Sequence, residues 1–318
     1  MTFELPEGKG MFVWKIKHAG NANDATNGGG TAEKVIADCK SANITHVIVK
    51  HLDGPWAYNQ RPIYDSNGNL LGYKDDILKP WIATLHASNI KVYGFQFIYL
   101  KLAKQEGEAA LKRTQELGLD GLYLDVEKEA YNECAESIAP ASTYTAPLLS
   151  APFPISLCSF RYPLTMQPNK KFYNTFLNIC SFNSPQVYWE GDHNPAAQLA
   201  QSYAEYKVGL DCDLPFMPVG SAYLRSKDWW TTPADILEFM NAAKYMNLSS
   251  VSFWEWSNIK KYVPDNWDTI ASYDWGGVTP IPDPDPTPET TPLTLEGLDK
   301  RVTSIETAIK ANTDWDLT

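Results

Sequence analysis

No stretch of the 318-residue sequence approaches the ~18 consecutive apolar residues that a membrane-spanning helix requires. The opening residues, Met1-Thr2-Phe3-Glu4-Leu5-Pro6-Glu7, carry neither a basic nor an apolar leader region, which predicts synthesis in a cytoplasm without a signal peptide. Cysteine is scarce. Cys39, Cys134, Cys158, Cys180 and Cys212 form no C-x-x-C pair, and an odd number cannot all pair within one chain, so reduced, buried thiols are expected. The histidines, His18, His46, His51, His86 and His193, make no H-x-x-x-H or H-E-x-x-H pattern, and no metal site is indicated. A G-x-G-x-x-G fingerprint after the first apolar run and a G-x-S-x-G elbow are both missing, which removes the main dinucleotide-binding and serine-hydrolase readings. Gly28-Gly29-Gly30 lacks the lysine of a phosphate-binding loop and reads as a flexible connection, so no cofactor is implied. Positive charge is also short, with 27 Lys and Arg against 38 Asp and Glu and a net charge of −11. Without a basic run there is no path for a phosphate backbone, and nucleic acid is excluded as a partner.

Aromatic side chains are abundant, with 11 Trp and 17 Tyr. A core of this size does not need so many, so some rings should line a surface. Flat rings stack on the apolar faces of sugars while their N–H and O–H groups stay paired, which favours a carbohydrate ligand; a Trp-rich core is the plain alternative. The chain length suits either two ordinary domains or one α/β barrel with a tail.

Pattern along the chain decides between these. Short runs rich in β-branched and aromatic residues fall at 10–16, 46–52, 91–99, 121–127, 153–160, 184–189, 215–222 and 249–256. Amphipathic stretches at about 31–42, 75–88, 102–117, 169–180, 194–207 and 232–247 separate them, with weaker ones near 130–138 and 265–273. Asn194-Pro195 and Thr232-Pro233 each place an N-cap oxygen before a proline at the first helical position. Strand followed by helix, repeated around the chain, predicts the α/β class and a (β/α)8 TIM barrel over residues 1–278. Residues 279–292 alternate proline with small or acidic residues, as an extended linker does. In the last segment, 293–318, Leu295, Leu298, Val302, Ile305 and Ile309 recur at spacings of three and four, the a/d seam of a short coiled coil. Such a helix is marginal alone, so residues 293–311 predict a homo-oligomer or attachment to a particle, the alternative being a helix folded back on the barrel.

Active sites of these barrels lie at the carboxyl ends of the strands. In Gly121-Leu122-Tyr123-Leu124-Asp125-Val126-Glu127 the two-residue pleat sends Leu122, Leu124 and Val126 toward the helices and Tyr123, Asp125 and Glu127 inward. Two neighbouring buried acids do not both ionise cheaply, so one should hold a proton near neutral pH. Glu127, longer and closer to the mouth, is the better general acid, and Asp125 can hold charge or orient a substrate group. The same parity puts Gln186, Tyr188 and Glu190 on one face of the sixth strand, where Glu190 offers a nucleophile for double displacement or a base for inversion. Trp254 and Trp256 should face inward on the eighth strand, one of them as a floor under a sugar, with Glu255 on the opposite parity in a supporting place. Trp14, Lys50, Gln96, Tyr99 and Arg161 fall at other strand ends and complete the set of candidate substrate-binding residues.

Asp120-Gly121-Leu122-Tyr123-Leu124-Asp125-Val126-Glu127 resembles the D-G-x-D-x-D-x-E signature of family 18 glycoside hydrolases, the chitinases and related N-acetylglucosaminidases, with Tyr123 replacing one aspartate. Its L-D-V-E core is equally similar to family 25, the phage and bacterial lysozymes. Val49-Lys50-His51-Leu52-Asp53-Gly54, Val92-Tyr93-Gly94-Phe95 and Trp254-Glu255-Trp256-Ser257 resemble the second, third and eighth strands of that family. Where family 25 has an aspartate ending its first strand, this chain has Trp14-Lys15-Ile16-Lys17. The family 18 resemblance implies that a substrate acetamido group attacks the anomeric carbon. It further implies that Glu127 protonates the leaving oxygen, Asp125 orients the amide and Tyr188 binds it. The expected partner is a polysaccharide containing N-acetylhexosamine, in peptidoglycan or a chitin-like glycan, reached from a phage virion or at lysis, with bacterial origin open. A second class stands beside it: a non-catalytic barrel that binds glycan or builds a particle, favoured by Tyr123 and the missing first-strand aspartate and opposed by the Asp125 and Glu127 pair.

Overall fold

The structure, a computed structural model, describes residues 3–16, 31–67, 70–74 and 77–276. The glycine run at 28–30, the linker at 279–292 and the helix expected at 293–318 lie outside the described residues.

The barrel strands are β1 (Gly8–Val13), β2 (Ile44–Asp53), β3 (Lys91–Ile98), β4 (Gly121–Val126), β5 (Ile155–Ser159), a split β6 (Phe182–Asn183 and Gln186–Val187), β7 (Val219–Ser221) and β8 (Ser250–Trp254). They run parallel in sequence order, and β8 returns to β1 through Gly8↔Ser250 and Met11↔Phe253. On the far side Ser156↔Phe182 and Gln186↔Val219 continue the ladder, with the isolated bridges Phe160↔Gln186 and Asn183↔Phe216 on either side of the break in β6. The sheet therefore curls into a TIM-like barrel.

Alternation sorts the core into two shells. Val47, Val49, Leu122, Leu124 and Val126 belong to the outer shell against the helices. Phe12, Ile48, Tyr93, Phe95, Tyr123 and Phe182 fill the inside. The inner rings meet at steep angles: Phe12 and Tyr123 at 5.7 Å, Tyr93 and Tyr123 at 5.8 Å, Tyr123 and Phe182 at 5.3 Å. Each buried ring contributes roughly 1.5–3 kcal/mol from apolar area alone, and edge-to-face contact adds to that. Together they make a rigid floor beneath the strand ends.

Helices cover the outside at Ala32–Ala42, Leu78–His86, Ala103–Leu117, Lys128–Glu133, Ala139–Thr145, Lys170–Leu177, Pro195–Ala204, Pro233–Tyr245, Trp256–Tyr262 and Pro264–Ser272. The expected start at Thr232 is a reciprocal capping box, with Asp235 N donating to Thr232 Oγ1 at 3.2 Å and Thr232 N to Asp235 Oδ2 at 2.8 Å. Asn194 differs: its side chain accepts from Gln198 Nε2 at 2.7 Å rather than from the first backbone N–H groups, and Pro195 alone marks the start. The helix at Trp256–Tyr262 replaces the end of the eighth apolar run. Its cause is Glu255, whose carboxylate accepts from Ser257 N at 3.2 Å and Asn258 N at 2.9 Å and so turns the chain immediately after Trp254. All five cysteines are unpaired. Among the described residues no helix is long and apolar enough to cross a membrane.

Candidate active site

A cleft of about 440 Å³ opens at the carboxyl ends of the strands, within the usual range for a small-ligand site. Asp125, the last inward position of β4, lies at its base. Glu127 follows one residue past the strand at the N-cap position of the Lys128–Glu133 helix, but its carboxylate makes no capping bond and is left for the cleft. Gln186, beginning the second half of β6, joins the two acids: its Nε2 donates to Asp125 Oδ1 at 2.8 Å and to Glu127 Oε1 at 3.0 Å.

The two acids also interact electrostatically. Burial, followed by the charge of Glu127, raises Asp125 well above the ordinary carboxylate range, while Lys50 and Gln186 pull it back. Burial raises Glu127 as well, against the opposing pull of the Gln186 amide. Two acids this close in a dry site behave as a unit holding one proton. Asp125, the deeper of the two, is the acid whose proton burial holds more tightly.

Aromatic walls surround the pair. Trp254 sits on Phe12 at 5.5 Å and Phe95 at 5.8 Å, tied to the barrel floor. Tyr188 also lines the cleft, edge-on to Tyr223 at 5.7 Å, and burial raises its phenol so that it stays a proton donor. Trp14, 41% exposed, forms the rim. Lys50 points its ammonium over the rings of Tyr58 at 4.6 Å and Phe97 at 5.5 Å and bonds Asp53 Oδ1 at 2.9 Å. Asn59 ties these pieces together, donating to Lys50 O at 2.8 Å and Trp14 O at 3.1 Å.

The structure thus brings Trp14, Lys50, Tyr99, Asp125, Glu127, Gln186, Tyr188 and Trp254 together at the cleft. The other candidates lie elsewhere. Tyr123 is one layer down in the aromatic floor, 1% exposed. Gln96 is buried on the outer face of β3, where its Nε2 donates to Gly54 O at 2.8 Å and Glu106 O at 3.0 Å and its oxygen accepts from Tyr144 at 2.7 Å. Trp256, expected on the inner face, is buried in the outer shell against Trp267 because the strand ends before it. Arg161 donates to Gln198 Oε1 at 2.6 Å and does not line the cleft. Glu190 accepts from the Tyr223 hydroxyl and is ion-paired with Arg225, outside the lining.

Asp53, Tyr58, Phe95 and Phe97 line the cleft without having been singled out. Phe95 and Phe97 share the parity of Tyr99, so that pattern alone could have found them in place of Gln96. Asp53 shares a face with Lys50 because the β2–β3 register shifts between Lys50 and Leu52, turning both His51 and Leu52 outward. Among the described residues no group of His, Cys, Asp and Glu is placed to hold a metal ion.

No protein-family model and no curated protein matches this sequence. Solved structures do share its fold. A chitinase from Chromobacterium violaceum superposes with a TM-score of 0.54 at 10% identity, over 83% of this chain and 98% of that one. A GH18 chitinase from Pseudoalteromonas aurantia gives 0.54 at 12% identity, with 83% and 98% covered. A chitinase from Rhizomucor miehei gives 0.52 at 11%, with 83% and 99% covered. At such identities the likeness is one of fold, which by itself hosts many chemistries.

Proposed function

We propose that this barrel is a glycoside hydrolase acting on a glycan that contains N-acetylhexosamine, of the chitin or peptidoglycan kind. The observation that carries the reading is the Asp125–Glu127 pair: a buried and a half-buried carboxyl that share one amide donor, both raised by burial, at the base of an aromatic cleft. The chitinase folds described above support it by analogy.

The roles are those that the family 18 resemblance implies. A sugar stacks on Trp254 while its acetamido N–H approaches Asp125. That donor favours the ionised form of Asp125, whose proton passes to Glu127, the more exposed acid. The acetamido oxygen, held by the Tyr188 hydroxyl, attacks the anomeric carbon. The glycosidic bond breaks with its electrons on the leaving oxygen, which takes the Glu127 proton. Water, deprotonated by the now ionised Glu127, then attacks the same carbon and displaces the acetamido oxygen, whose bonding electrons return to the amide, so that the sugar leaves with retained configuration. Glu190 is spent on Arg225 and Tyr223, which argues against a carboxylate nucleophile.

Incubation with peptidoglycan, chitin oligomers and plain polysaccharides, followed by reducing-end analysis, tests the proposal. Glu127→Gln should keep binding and fold while lowering turnover at least ~10²-fold. De-N-acetylated substrate should resist cleavage, and Glu190→Gln should remain active. Glycan binding without cleavage by the wild-type protein would replace this reading with the non-catalytic one.

A further inference from the structure

Trp56 is 70% exposed, more than the other exposed indoles among the described residues, Trp14 at 41% and Trp230 at 45%. It belongs to the short strand Trp56–Ala57, which folds back on β2 so that Asp53 pairs with Trp56 and Leu52 with Ala57. Residues directly opposite in an antiparallel pair project to the same face. Asp53 lines the cleft, so Trp56 stands on the cleft side of the hairpin, just beyond the residues that form the wall.

The backbone beneath it is held firmly. Gly54 N donates to Phe97 O at 2.8 Å, Gln96 Nε2 donates to Gly54 O at 2.8 Å, and Tyr58 N donates to His51 O at 2.9 Å. Gly54 adopts φ +53°, and a Cβ there would meet the Tyr99 ring at 3.2 Å. Tyr99, itself a cleft residue, is therefore packed under the very turn that carries Trp56, and its hydroxyl reaches Asp53 at 3.4 Å. The indole is thus carried on a fixed turn next to the Asp53 wall residue, which lowers the entropy lost on binding.

We propose that Trp56 is an outer sugar-binding platform, on which a pyranose unit beyond those seated in the cleft stacks, so that the site takes a polymeric glycan chain. This rests on the glycosidase reading above and adds the length of the substrate to it. A flat indole offers apolar area to the C–H face of a sugar at little conformational cost.

The test uses the full chain with Trp56→Ala and Trp56→Phe, assayed on soluble chito-oligosaccharides and peptidoglycan strands beside a short aryl glycoside of N-acetylglucosamine. Trp56→Ala should raise KM for the long substrates about tenfold, the scale of one lost stacking contact. The long-to-short ratio of KM should rise with it while kcat stays level, and Trp56→Phe should restore most of the loss. An unchanged KM on long chains, or an equal loss on long and short ones, would overturn the platform while leaving the glycosidase reading intact. If the wild-type protein neither cleaves nor binds any of these glycans, both fall together.

Discussion

Replacing Gln186 with leucine removes the one amide that both acids share while keeping a side chain of similar length. The lost donor sits 2.8 Å from Asp125 Oδ1 and 3.0 Å from Glu127 Oε1 in a half-buried position. A hydrogen bond to a charged acceptor is worth about 1.5–3 kcal/mol, and it favours the ionised state of either acid over its neutral form. At ~1.36 kcal/mol per pH unit, its loss should raise the apparent pKa values of the pair by about one to two. The active form carries one proton. Its acidic limb reports loss of the first proton and its alkaline limb loss of the second, and Gln186 opposes protonation at both steps. The whole profile of kcat/KM against pH should therefore move to higher pH by one to two units, measured on a soluble N-acetylglucosaminide, with thermal unfolding confirming that the variant folds. A profile that falls uniformly without moving, or that moves toward acid, would refute the coupling of the two carboxyls through Gln186.

The same pair should destabilise the fold at neutral pH. Asp125 is raised in the folded chain, chiefly by burial and then by Glu127, so between the ordinary carboxylate range near ~4 and its folded value the native state holds a proton that the unfolded chain has released. Stability is then greatest below the unfolded value and is lost as pH rises through the folded one, by up to ~1.4 kcal/mol per pH unit. Asp125→Asn should thus match the wild type in acid and exceed it increasingly toward neutrality in guanidinium titrations; parallel curves would contradict the assigned titration. A third prediction concerns Gly107, inside the Ala103–Leu117 helix, where a Cβ would stand 2.2 Å from the Tyr144 carbonyl oxygen. Alanine would ordinarily gain about 1 kcal/mol in a helix, but here it must push two helices apart, so Gly107→Ala should be net destabilising by ~1–3 kcal/mol. A more stable variant would mean that the helices do not approach this closely.

Much of the barrel could be read from the chain because the information is local. Period-two alternation in residues 121–127 already put Tyr123 and Asp125 inside and Leu122, Leu124 and Val126 outside, and the pleat enforces that wherever the strand runs. The capping pattern at Thr232 is equally local, since both partners lie within one turn. What failed to show were events set by distant partners. Lys50 and Asp53 face the same cleft only because β2 slips against β3, and β6 breaks in two where it meets β5 and β7. Trp254 and Trp256 share a parity but not a face, because Glu255 finds backbone donors and ends the strand between them. Glu190 looks like a spare carboxylate until the chain from Tyr223 to Arg225 folds over and neutralises it. Sequence by itself determined which side chains each regular strand turns inward, since one chain's covalent geometry sets that alternation. Only tertiary structure decided where the strands slip, split and stop, because those depend on hydrogen bonds and charges supplied by residues far along the chain.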